Sequence, residues 1–435
     1  MLIEFSVENY RSIQKKQTFS MVASEDETML ESNTFTIPNS DNLRLVTSAV
    51  IYGPNASGKS NLLQAMETLK DLVVNSASKM QKGDKLPIEP FKLNRESAKQ
   101  PTTFEVIFIE QDTRYEYGLS LNRERVYEEW LIAYPNEIKQ NWFSRTYIPD
   151  NPELQPDEGY KWSFGKGLKG EKLRIKRFVR SNSLFLSHAV QNNHPQLTEI
   201  FEWFQDKFNF LSPNFHAVEF TLNRFDEEDT FLEQVAKLLT EADIDISGIK
   251  IDKIPIPERV RSSSIFQEFI KSEIGKLERG EANIDEIHTV DIRTLHQMND
   301  CDQQIEFDLD EESDGTQRLF EIAGIWLYVL EYGEILILDE LDRSLHPILS
   351  KSLLKMFNDP EINKNNAQLI FTTHDTTLLD SEILRPDQVW FTEKHKCMTN
   401  LYSLLDFRPR EHESLQKGYL LGRYGAIPFI NGLSI

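Results

Sequence analysis

Cysteine is nearly absent: Cys301 and Cys397 are the only two in 435 residues, far apart and outside any CxxC or Cys/His cluster. That pattern excludes a disulfide framework and an ordinary structural zinc site, and it fits a reducing compartment. Long apolar runs are missing too. The best candidate, "IAGIWLYVLEYGEILIL", is broken by Glu331 and Glu334, so no membrane contact through a spanning helix is expected. The start, "MLIEFSVENYRSI", lacks the basic and apolar regions of a signal peptide, and the chain is expected to be cytoplasmic. Positive charge is scarce, with 48 Lys and Arg against 70 Asp and Glu, for a net charge of −22. Such a balance argues against a protein whose whole surface coats nucleic acid. No heptad pattern is sustained long enough for a coiled coil, and there is no internal repeat.

What is present is an alternation of strand and helix patterns around one loop. "LIEFSVENY" alternates apolar and polar residues as a strand does, and a second strand, "LRLVTSAVIYG", runs into "GPNASGKS" and then a helical pattern. "TTFEVIFIE" and "YEYGLSLNRERVYEEWLIAYP" add further strands, so the first 135 or so residues read as β-rich. Residues 136–175 read as polar loops. The strip 161–180 within and beyond them carries eight Lys/Arg against one Glu. A solvated face is the plainer reading of that strip, and a nucleic-acid contact is the alternative. Helical spacing recurs near 195–210, 228–243 and 262–280, with a strand, "GIKIDKIPI", between the last two. From 315 on, helix, strand, helix, strand succeed one another, as in a parallel sheet flanked by helices.

"GPNASGKS", comprising Gly53, Pro54, Asn55, Ala56, Ser57, Gly58, Lys59 and Ser60, has the full P-loop spacing between a strand and a helix. Its glycines let backbone N–H groups turn toward phosphate oxygens. Lys59 reaches the β- and γ-phosphates, the Ser60 hydroxyl ligates Mg²⁺, and the helix start adds its positive dipole end. Lys59 by itself does not say which P-loop class this is; no NKxD guanine reader is present, and "NKNN" at 363–366 lacks the Asp. "ILILDE" is an apolar strand ending in two acids: Asp339 is the expected second Mg²⁺ partner and Glu340 the group that polarises the attacking water. "QLIFTTH" ends in His374, placed to bond a γ-phosphate oxygen. "SDGTQ", holding Ser313 and Gly315, reads by itself either as a helix cap or as part of a nucleotide site.

Taken in order, the P-loop, a serine–glycine signature, "ILILDE" and a strand-ending His resemble an ABC-type ATPase head, with "LDRSLHP" at the place of a D-loop. "NYRSI" resembles the opening strand of SMC-, RecF- and OLD-type heads. "SDGTQRLF", "ELDRSLHP", "FTTHDTTLLD", "RPDQVWFTEK" and "KGYLLGRYGAIPF" together look like the stand-alone RloA/AbiL-type ATPases of bacterial phage-defence and restriction operons. The resemblance covers roughly residues 1–110 and 310–430, and more loosely "SLFLSHAVQNN" and "LLTEADIDISGI" between them. Two departures count against transporter-type coupling: Asp314 and Thr316 replace the Gly and Gln of an LSGGQ signature, and His346 stands where many D-loops carry Asp. No Q-loop Gln can be placed; "EPFKLN" contains none.

The resemblance implies an α/β fold: an ABC-type P-loop ATPase head, mixed β plus a parallel sheet flanked by helices, with a mainly helical insertion. The expected organisation is 1–180 for the N-terminal part of the head, 181–310 for the helical lobe and 311–435 for the C-terminal part. It also implies a homodimer, or a higher even-numbered assembly, in which Ser313 and the Gly315 backbone serve the partner's ATP. The resemblance further implies a protein effector, Toprim-like or another nuclease, as the partner; OLD-type heads carry a C-terminal Toprim nuclease, for which the roughly 60 residues expected after His374 are too few. The alternative is a RecF/SMC-like DNA-binding ATPase of repair or maintenance, using the 161–180 strip.

Overall fold

The computed structural model describes residues 1–38, 42–149, 159–211, 229–242, 246–255, 288–298, 300–409 and 414–428. They form two compact units, Met1–Phe215 with Tyr328–Ile435, and His216–Leu327.

Two sheets build the first unit. One is antiparallel and seven-stranded, in the order β10-β9-β8-β7-β6-β1-β2: β1 (Leu2–Glu8), β2 (Gln17–Ser20), β6 (Thr102–Glu110), β7 (Thr113–Leu121), β8 (Val126–Tyr134), β9 (Gln140–Tyr147) and β10 (Tyr160–Phe164). In β6 the alternate residues Thr102, Phe104, Val106 and Phe108 are buried, the period-two pattern of a strand with one covered face. The other sheet has the order β11-β15-β16-β5-β17-β18: β5 (Ser48–Tyr52), β11 (Phe208–Leu211), β15 (Ile335–Leu338), β16 (Gln368–Thr372), β17 (Val389–His395) and β18 (Met398–Ser403). All pairings in it are parallel except β17 with β18. Every residue of β5, β15 and β16 is buried, which is why these strands read as largely apolar runs. A short ribbon, β3 (Thr34–Thr36) with β4 (Arg44–Val46), completes the unit.

One core joins the sheets, running from Leu2 and Phe5 through Met66 and Leu69 of the helix Lys59–Asn75 to Ile337 and Ile370. Gln368 stitches β16 to β1: Leu2 N–H donates to its Oε1 at 2.6 Å, and its Nε2 donates to Leu2 O at 3.0 Å. The "RPDQ" turn is a second stitch. Arg385, fully buried, donates to Asp387 at 2.6 Å and to Asp26 O at 2.8 Å, while Gln388 Nε2 donates to Ser48 O at 3.0 Å. It ties the N-terminal segment to the first residue of β5.

In the first unit the described residues depart from expectation in three places. "LRLVTSAVIYG" is two strands, because β4 pairs with β3 and β5 enters the parallel sheet. Residues 136–175 are not only loops: β9 and β10 lie there, and the period-two alternation of "YKWSF" was the available signal. The stretch 195–210 holds a helix, Pro195–Glu202, but ends in β11, which pairs with β15.

In the second unit the helix Asp229–Glu241 buries Phe231, Val235 and Leu239 at four-residue spacing. Beside it lies an antiparallel sheet of β12 (Ile246–Pro255), β13 (His288–Gln297) and β14 (Gln304–Asp308). "GIKIDKIPI" is β12, as expected; the expected helix at 262–280 lies outside the described residues. β13 and β14 add strands to a stretch expected to be mainly helical. No helix among the described residues is long and apolar enough to cross a membrane.

"SLFLSHAVQNN" is explained by a buried ion pair. Arg145 and Glu129 meet at 3.0 Å with both side chains fully buried. Glu129 also accepts the N–H groups of Phe185 at 2.8 Å and Leu186 at 3.0 Å, at the start of the helix Phe185–Gln191. Arg145→Ala strands that carboxylate without its cation and is expected to cost about 3–5 kcal/mol. Urea unfolding measures it, and a loss below about 1 kcal/mol contradicts the account.

Glu334, just before β15, is buried, and burial raises its carboxyl to about 7 although Asn209 Nδ2 donates to it at 2.7 Å. The folded state therefore favours the protonated acid. That contribution is full below the ordinary value of 4.5 and lost as pH rises through about 7. Glu334→Gln is expected to flatten the fall in stability between about pH 5 and pH 8; equal slopes in the two proteins refute it.

Candidate functional site

In an open parallel sheet, the loops after the strands' C-terminal ends meet at one edge. Here β16 lies between β15 and β5, and the register sets Leu338 level with Phe371 and Val50, and Thr372 level with Ile51. The loops carrying Gly53–Ser60, Asp339–Glu340 and Thr373–His374 therefore start side by side.

The P-loop needs its glycines. Gly58 caps the helix Lys59–Asn75 with φ +114°, and a Cβ there would lie 2.1 Å from Thr399 Oγ1. At Gly53 a Cβ would lie 2.4 Å from Thr392 O. The β17–β18 hairpin holds the loop from beneath. Ser57 Oγ and Thr392 Oγ1 bond at 2.7 Å, and Thr399 Oγ1 donates to Ser57 O at 2.7 Å. Ser12 of "NYRSI" joins this network: its Oγ and Thr399 Oγ1 bond at 2.7 Å, and Asn61 Nδ2 donates to Ser12 Oγ at 2.6 Å.

Lys59 is buried and folded over its own loop, donating to Gly53 O at 2.8 Å and to His374 Nε2 at 3.2 Å. An ammonium has only donors, so Lys59 is the donor in this contact. Burial lowers the Lys59 pKa, against the pull of Asp339, Glu340 and Asp342. His374 itself is exposed, and its backbone N–H points at both Asp342 oxygens, 3.3 Å away. Glu340 is exposed and has φ +58°, a left-handed conformation uncommon for a glutamate.

Ser60 and Asp339 line one small recess of about 50 Å³ together with Gln64, Glu67 and Ile337. A hydroxyl and a carboxylate are hard oxygen donors, and Mg²⁺ takes few protein ligands when phosphate oxygens and water fill the rest, so this pair fits that ion. Among the described residues no group of three or more His, Cys, Asp or Glu could hold a metal, so the protein offers no closed metal cage there.

Ser313 and Gly315 belong to the second unit. Ser313 stands just before the helix Asp314–Tyr332, and its Oγ accepts the Thr316 N–H at 3.2 Å, so the capping role is real. Its approach is anchored by Glu312, which meets His296 Nε2 of β13 at 2.7 Å. Ser313 is exposed.

The 161–180 strip divides. Lys172 donates to Gly165 O at 2.8 Å, and Arg180 to Ser76 O at 3.1 Å and Ala77 O at 3.2 Å. Arg174 pairs with Glu171 at 3.3 Å. Lys161, Lys166, Lys169 and Arg177 face solvent. The C-terminal "KGYLLGRYG" packs as an aromatic plug: Tyr419 lies 5.6 Å from both Tyr52 and Phe391, behind the end of β5.

Residues that hold the site without an assigned part from sequence include Asp342, Thr372, Thr373, Thr392 and Thr399. For Thr372 and Thr392 the signal was a hydroxyl set against an apolar run, as in "IFTTH" and "WFTEK".

A family model described as "AAA domain, putative AbiEii toxin, Type IV TA system" matches residues 48–380. No curated protein matches the chain. Among solved structures, the SMC head domain from Thermotoga maritima is similar at 11% identity and TM-score 0.39, over 92% of this chain and 98% of that one. The SmcHead bound to the C-winged helix domain of ScpA is similar at 12% identity and TM-score 0.41, over 96% and 99%.

Gly58→Ala brings strain and a clash into the phosphate loop. Titration with a fluorescent ATP analogue is expected to show affinity lower by about tenfold or more, since left-handed backbone alone costs roughly 1–2 kcal/mol. Unchanged affinity contradicts the cradle.

Proposed function

We propose that this chain, which belongs to the AAA-domain family described as putative AbiEii toxin of type IV TA systems, binds ATP with Mg²⁺ and hydrolyses it at composite sites between paired copies. The observation that carries the reading is the convergence of Lys59, Ser60, Asp339, Glu340 and His374 at the ends of three adjacent parallel strands.

The P-loop N–H groups and Lys59 cradle the phosphates. Ser60 and Asp339 hold Mg²⁺, which when bound supplies charge neutralisation at the phosphoryl oxygens. Glu340 takes the proton of the attacking water, and His374 donates to the γ-phosphate once Lys59 turns from it to the nucleotide. Ser313 and the Gly315 N–H, at a helix start, complete the site of the partner copy. ATP then favours the paired state because part of its contacts exist only there. The cycle serves as a sensor or scaffold in the cytoplasm that holds and releases a protein effector, a nuclease, in anti-phage defence.

A second reading, a RecF/SMC-like DNA-binding ATPase, is favoured by the exposed Lys161, Lys166, Lys169 and Arg177. ATP-dependent retention of duplex DNA that falls steeply with salt selects it over the effector reading.

Glu340→Gln is expected to lower turnover about a hundredfold or more while shifting the protein to a dimer on gel filtration in ATP. Lys59→Ala is expected to lose nucleotide binding. Wild-type turnover in the Gln variant refutes the role of Glu340, and no ATP-dependent association refutes the paired site.

A further inference from the structure

Two adjacent threonines, Thr372 and Thr373, are fully buried at the end of β16, and their hydroxyls point to different neighbours. Thr372 Oγ1 donates to Asp339 Oδ1 at 2.5 Å and accepts the Glu340 N–H at 2.8 Å. One hydroxyl thus fixes a carboxylate oxygen of the expected metal ligand and the peptide of the next residue. That peptide is the one that needs holding, because Glu340 sits at φ +58°. The Leu341 N–H donates to Thr372 O at 3.0 Å, so the turn after β15 is fastened on both sides of Glu340. Thr373 Oγ1 instead donates to Asp342 Oδ1 at 2.7 Å and accepts the Asp375 N–H at 2.9 Å. Asp342 receives the His374 N–H as well, so this second hydroxyl sets the turn on which His374 stands.

The two hydroxyls are buried, while the carboxylates and peptides they bond are only partly so. A half-buried carboxylate or N–H that loses its partner can turn to water, and a left-handed turn so released can relax away from its strained geometry, so the loss falls on orientation. A valine has the shape of threonine and lacks the hydroxyl, so it separates orientation from packing.

We infer that Thr372 and Thr373 are positioning residues with divided roles: Thr372 orients Asp339 and Glu340 for metal and water, and Thr373, through Asp342, orients His374. The inference rests on the ATPase reading above and assigns the devices that hold its groups in place. Neither hydroxyl is given a contact with nucleotide.

The test compares wild type with Thr372→Val, Thr372→Ser and Thr373→Val. Mn²⁺ affinity in the presence of ATP is read from the electron paramagnetic resonance of free Mn²⁺, beside kcat, KM and the melting temperature. Thr372→Val is expected to weaken Mn²⁺ by about tenfold or more, the usual effect of removing a partner that orients a metal ligand, and to lower kcat with little change in KM. Thr372→Ser restores both. Thr373→Val lowers kcat and keeps wild-type Mn²⁺ affinity. If Thr372→Val does not fold, Thr372→Cys, a weak donor of similar size, takes its place and must show the same losses. The inference is overturned if Thr372→Val keeps wild-type Mn²⁺ affinity and kcat, if serine fails as valine does, or if Thr373→Val weakens Mn²⁺ equally. A wild-type protein that binds no Mn²⁺ with ATP and hydrolyses none overturns the ATPase reading itself, and a wild type that does both beside an unaffected Thr372→Val overturns this inference alone.

Discussion

The parallel register of β15, β16 and β5 is the constraint on which the rest depends. With Leu338, Phe371 and Val50 level across the sheet, the chain leaves three neighbouring strands at one edge, and each exit carries chemistry. A one-residue slip of any strand would exchange its two faces and move its exit along the edge. What prevents slippage is burial on both sides, reinforced by side chains that cross between elements: Gln368 to Leu2, Gln388 to Ser48 and Thr372 to Asp339. The two ends of the chain converge on the same task. Ser12 near the start and Thr399 near the end meet beneath the P-loop, so a loop encoded in eight residues is held by segments hundreds of positions apart.

Electrostatics at that edge follow from the topology. Three acids, Asp339, Glu340 and Asp342, surround the exit of β15 while one buried ammonium, Lys59, faces them. Lys59 is occupied by Gly53 O and His374, both of which a phosphate group can replace as acceptors. A site of this kind has its donors already gathered and exchanges partners on binding rather than assembling from disorder.

The motifs legible in the sequence are those whose geometry is local. "GPNASGKS" is a backbone conformation written in glycine spacing, and "ILILDE" is a buried strand that must end in its acids. The order of strands was not legible, because pairing across the sheet joins residues whose separation in sequence carries no periodic signal. Thr372 and Asp342 escaped notice for that reason: their meaning is their neighbour, not their spacing. β10 at the sheet edge and β9 beside it looked like loop because both carry exposed polar residues. "RPDQ" and "KGYLLGRYG" read as family marks, and the fold gives them structural work, one as a buried Arg–Asp clamp and the other as an aromatic plug behind Tyr52. Ser313 carries its cap openly, whereas the service to a second copy proposed for it is not something a single chain can display.

The central claim is that the chemistry needs two copies of this chain. It is tested most directly by the specific ATPase activity as a function of protein concentration at saturating ATP and Mg²⁺. The account expects specific activity to rise with concentration and level off as pairing saturates, with Ser313→Ala lowering the plateau. Specific activity that stays constant down to the lowest concentration at which the protein is monomeric by light scattering would contradict it.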